Sequence, residues 1–103
     1  MNQQAMLRKV RQMQKEMEET QQEIFNTDFT QTAGGVVSVT MKGTKEITKV
    51  DILDGFEIES KEDYEMLSDM IIAACANCYK EIDRTTEEKM AKYQAFLGGM
   101  GMF

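Results

Sequence analysis

Apolar residues recur along the first stretch of the chain at helical spacing. Met6, Val10, Met13, Met17, Thr20 and Ile24 follow one another in steps of four, three, four, three and four. That is the a/d spacing of a helix seam. Leu7 adds one apolar position near the start. Gln, Glu, Lys and Arg fill the positions between, with no Gly or Pro, so the pattern predicts a helix from Gln3 to Ile24. A stripe this narrow asks for a second helix against it. Met6, Val10, Met13, Met17 and Ile24 are therefore expected at an interface between two copies of the chain.

The pattern then changes period. Phe25 to Thr32 alternates weakly and reads as an edge strand, and Ala33-Gly34-Gly35 breaks it. Val36 to Met41 is strongly β-branched, with Val37, Val39 and Met41 on one face. Lys42-Gly43-Thr44-Lys45 reads as a turn in which Gly43 can take positive φ. Glu46 to Leu53 returns as a third strand, and its Val50/Ile52 face is the better candidate for burial. Short connections make this a three-stranded antiparallel meander.

Helical spacing resumes after Ser60. Ser60-Lys61-Glu62-Asp63 resembles a capping box with Asp in place of Glu, and acids fill the first turn. Leu67, Met70, Ile71, Ala74, Cys78 and Ile82 form one face. The periodicity weakens after Asp83, although Glu87 to Tyr93 is helical by propensity. Residues 96–103 are expected to be a flexible Gly/Met tail. The chain thus reads as one α+β domain over residues 1–95, in the order α-β-β-β-α. Helices of about 22 and 30 residues span about 33 and 45 Å. A compact chain of this length has a radius of gyration of about 13 Å, so such helices project as arms. A symmetric homodimer is the simplest way to cover them.

Composition adds constraints. The 103 residues fit one domain. Ten methionines suit either core filling or adaptable binding surfaces. The opening MNQQAMLRKVRQMQ has no continuous apolar run, and no stretch approaches the length of a membrane span. The expectation is a soluble cytoplasmic protein without membrane association.

Net charge is −6, but its distribution is more informative than its sum. Arg8, Lys9, Arg11 and Lys15 precede the first acid, and everything from Glu16 onward sums to −10. Arg8, Arg11 and Lys15 share a helical face away from the Met seam. Such a stripe can hold phosphates through charge and guanidinium forks; it can also be a solvated face balanced by acids.

Cys75-Ala-Asn-Cys78 has the spacing of a redox or metal half-site. It lies well inside a helix, however, and the chain has no histidine and no second pair. Packing is the better reading. The carboxylates Glu57, Glu59, Glu62, Asp63 and Glu65 fit a solubilising loop and a helix N-terminus. No nucleophile–base constellation or phosphate loop occurs. Neither an enzyme nor a metal, cofactor or small-molecule substrate is expected.

Several local sequences, in order, resemble the YbaB/EbfC family of bacterial nucleoid-associated proteins. They are Met13-Gln14-Lys15-Glu16-Met17, Ala33-Gly34-Gly35-Val36-Val37-Ser38-Val39-Thr40, Lys42-Gly43, Lys49-Val50-Asp51-Ile52, Glu65 to Ala74, Glu88-Lys89-Met90 and the glycine–methionine tail. The resemblance implies a tweezer-shaped dimer with helical arms. It also implies duplex DNA binding with limited sequence preference, a place at the nucleoid, and a role in nucleoid organisation or gene expression. The resemblance further implies DNA contact on the arms, where the matching segment here holds Arg8, Lys9, Arg11 and Lys15. A competing expectation is a dimeric protein–protein adaptor using the Met-rich helices and tail.

Overall fold

The computed structural model describes residues 2–99. It runs α1 (Gln3–Phe25), β1 (Asp28–Ala33), β2 (Val37–Lys42), β3 (Ile47–Ile52) and α2 (Lys61–Gly99). The strands form one antiparallel sheet in the order β1-β2-β3. Element order and class are as the sequence reading has them.

Asn2 caps α1, its side chain accepting a bond from the Ala5 N–H at 2.8 Å. The helix runs through Phe25, which the alternation pattern had placed in the first strand. At the start of α2, Asp63 accepts bonds from the backbone N–H of Glu59 and of Ser60. The shorter carboxylate thus fills the acidic half of the capping box.

The two halves of α2 do different work. Ala74, Cys78 and Ile82 lie over the sheet against Phe29, Ala33, Val37, Val39 and Met41. That burial is the main hydrophobic contribution to the fold. Further along, Met90 and Tyr93 turn to α1 and pack with Ile24, Met13 and Met17. Tyr93 and Thr20 hydroxyls meet at 3.1 Å across this contact. The helix therefore does not fade after Asp83. Its apolar stripe passes from one partner to the next, with Thr85 and Thr86 at the handover.

The 39 residues of α2 give the molecule a 71 Å long axis and a radius of gyration of 20.0 Å. An arm made of α1 and the C-terminal part of α2 extends from the sheet. Residues 96–99, expected in a flexible tail, belong to α2, and Leu97 is buried. Residues 100–103 of that expected tail lie outside the described residues.

The β2–β3 turn corrects another expectation. Positive φ falls on Lys45 (73°), not on Gly43. Gly43 is needed for close approach: an added Cβ would stand 1.9 Å from the Ile24 carbonyl oxygen. Its N–H donates to the Thr27 carbonyl at 3.1 Å. The turn thus clamps the end of α1 and sets where the arm leaves the sheet.

Candidate nucleic-acid interface

The four sequence-singled cations lie together on the arm. Arg8, Lys9, Arg11 and Lys15 are all exposed on the N-terminal half of α1. None is in an ion pair among the described residues. Of the eight bases elsewhere in the chain, four are paired. Lys42, Lys45 and Lys49 each hold an aspartate, and Arg84 is forked between Glu81 and Glu88.

Helical geometry separates the stripe from the packing face. Val10 and Ile24 are buried, while Arg8, Arg11 and Lys15 fall on the opposite side at steps of three and four. Gln4, Leu7, Arg8 and Arg11 line a shallow depression there. The arrangement does nothing for helix stability. The first turn of α1 has no acid and the last turn no base, so the ends are not arranged to complement the helix dipole.

The bases of α2 do not extend this stripe. Tyr93 meets Thr20, which puts Lys92 level with the acidic half of α1, and Lys92 lies over the Tyr93 ring at 4.9 Å. Beyond Lys92, α2 carries no charged residue through Gly99. The outer part of the arm therefore presents four cations and no acid. Exposed cations on a protruding rod can approach a phosphate backbone, and guanidinium and ammonium groups are the donors that phosphate oxygens accept.

Part of the Met seam has a partner within the chain itself. Val10 and Ile24 are buried, and Met13 and Met17 pack with Met90 and Tyr93 of the same chain. The second helix that the narrow stripe required is the chain's own α2. Met6, at the outer end of the seam, is half-buried. Of the five residues expected between two chains, Met13, Met17 and Ile24 pack against the chain's own α2.

A contiguous uncovered apolar surface lies on the sheet. Val50 and Ile52 pair with Val39 and Val37, and Ile47 pairs with Met41, so all three share the face that α2 covers. That helix packs on β1 and β2 and leaves β3 almost bare. Ile47, Val50 and Ile52 are 46, 43 and 52% exposed, against the burial expected for Val50 and Ile52. Ile72 and Tyr79 of α2 are exposed as well.

Cys75 and Cys78 are free thiols. Burial pushes the Cys78 thiol above its ordinary pKa of 9.0, opposite to the activation a redox cysteine needs. Its Sγ lies 3.3 Å from the Val39 carbonyl oxygen, to which it donates. Among the described residues no cluster of three or more metal-ligating side chains occurs, and no helix is long and apolar enough to cross a membrane.

Comparison with known proteins places this geometry in a family. A nucleoid-associated protein of Clostridium acetobutylicum is 38% identical over 98 residues, covering 94% of this chain and 86% of that protein. One from Roseiflexus sp. is 37% identical over 100 residues, covering 97% and 95%. The fold matches an uncharacterized protein from Helicobacter pylori with a TM-score of 0.66, at 24% identity, over 85% of this chain and 91% of that one. The family model described as the YbaB/EbfC DNA-binding family matches residues 1–97. The chain belongs to the YbaB/EbfC DNA-binding family.

Proposed function

We propose that this protein is a homodimer that binds duplex DNA through phosphate contacts from the outer half of α1, with limited sequence preference. Arg8, Lys9, Arg11 and Lys15 make those contacts. The observation that carries the reading is the arm itself: four exposed cations, unpaired among the described residues, with no acid on the same stretch of either helix. Elsewhere in the chain four of the eight bases are held in ion pairs, and the rest are interleaved with acids. Family membership supports DNA as the partner. Phosphate contacts position a protein without reading bases, so such an arm binds many sequences alike.

The dimer uses the bare face of β3, where Ile47, Val50 and Ile52 seek cover. Two arms then engage one duplex, and the second contact gains from effective concentration. Catalysis, cofactor and metal have no part in this reading, which places the protein on the cytoplasmic nucleoid and in its organisation or gene expression. The adaptor alternative loses support, since Met13, Met17 and Met90 are spent inside the arm.

Fluorescence anisotropy with several unrelated duplexes tests the site. Reversing Arg8, Arg11 and Lys15 to Glu should weaken binding to all of them equally. Unchanged affinity, or loss for one sequence alone, would remove these residues from the interface.

A further inference from the structure

The outward face of α1 is divided along its length. Arg8, Arg11, Lys15, Glu18 and Gln22 follow one another in steps of three, four, three and four, and all are exposed. Glu19 and Glu23 flank the stripe, also exposed. Residues 3–15 of α1 carry four bases and no acid; residues 16–25 carry four acids and no base. The division does not complement the helix's own dipole, since the ends lack the favourable charges. It does match a second copy of the same face turned end for end.

We propose that α1 docks antiparallel on the outward face of α1 from another copy of this chain. With the two-fold axis near residues 16 and 17, Lys15 stands opposite Glu18 and Glu19, and Arg11 opposite Gln22 and Glu23. Arg8 then reaches Asn26, at the negative end of the partner helix. The symmetry repeats each contact, as an isologous interface must. A depression beside Glu18, Glu19, Gln22, Glu23, Asn26 and Thr27 receives the incoming cationic side chains. Exposed pairs are individually weak, so the association is concentration-dependent and labile to salt.

The docking covers the stripe assigned above to DNA phosphates. The pairing stands without that assignment; only its competition with duplex DNA rests on it. DNA-free protein then holds its arms masked by another copy, and duplex releases them.

Sedimentation velocity of the full chain at about 20 mM and about 0.5 M salt tests the docking. At low salt the mass should double relative to the high-salt species. The variants R8E/R11E/K15E and E18K/E19K/E23K should each lose this association. Mixed in equal amounts they should regain it, because an α1 whose outward stripe is acidic now faces one whose stripe is basic; that recovery also shows both variants folded. Low-salt association that persists in either variant alone, a mixture that does not recover it, or a mass that does not change with salt would overturn the proposal. Adding duplex separates the two readings. Dissolution of the doubled species bears out the competition. A doubled species untouched by duplex that fails to bind sinks the DNA assignment and leaves the docking intact.

Discussion

Replacing Gly43 by Ala should destabilise the protein by about 3 kcal/mol, although φ at this site is ordinary. An ideal Cβ would stand 1.9 Å from the Ile24 carbonyl oxygen and 2.5 Å from its carbon. The obstructing atoms are backbone in the last turn of α1, so no rotamer change relieves the overlap. Either the turn or the helix end must retreat by about 1 Å. Overpacking of this kind costs about 1–3 kcal/mol. Retreat also weakens the bond from the Gly43 N–H to the Thr27 carbonyl, which adds about 1 kcal/mol. For a chain of this size, about 3 kcal/mol lowers Tm by about 12 °C or more. The control is Gly98→Ala, where a Cβ meets nothing within 4 Å and the helix gains about 0.5–1 kcal/mol. Urea midpoints at one protein concentration decide the matter. A Gly43→Ala midpoint equal to or above that of Gly98→Ala would refute the clamp between the β2–β3 turn and α1.

Four further outcomes follow from the packing. Tyr93→Phe removes the hydroxyl facing Thr20 and should cost about 0.5–1.5 kcal/mol in chemical denaturation, with little effect on the far-UV spectrum. A maleimide should label half-buried Cys75 in the native state and buried Cys78 only on unfolding, at a rate that follows denaturant. The raised Cys78 pKa makes the thiol's contribution to stability complete below about pH 9, the unfolded value, and lost as pH rises toward the folded one; a pH titration of stability should lose that component in Cys78→Ala. Substituting Asp at both Val50 and Ile52 should halve the mass measured at high salt by light scattering, since a charged face cannot close over apolar β3.

Much of this molecule is legible in the chain. The alternation of Val37, Val39 and Met41 names the core face of β2 because a strand has period two. Asp63 marks the start of α2 because an N-terminus needs an acceptor for its free N–H groups. Periodicity does not say whose helix fills a seam, so Met13 and Met17 read equally well as inter-chain and intra-chain contacts. The far half of α2 was obscured because its stripe rotates from the sheet, at Ile82, to α1, at Met90. Burial of Val50 and Ile52 could not be read either: one helix covers about two strands, and which two depends on where α2 crosses. The cation stripe was visible from composition alone. Its isolation was not, because Lys89 and Lys92 fall beside the acidic half of α1 only after the hairpin closes.

The central claim is that the outer half of α1 meets DNA phosphates, and the salt dependence of binding measures it most directly. Each phosphate neutralised contributes about −0.9 to the slope of log Kobs against log salt concentration. With four cations on each of two arms, the slope should approach about −7. Replacing Arg8, Arg11 and Lys15 by Gln should make it shallower by about 2.7 for each engaged arm, by the same amount on every duplex tried. A slope that the triple substitution leaves unchanged would contradict the account.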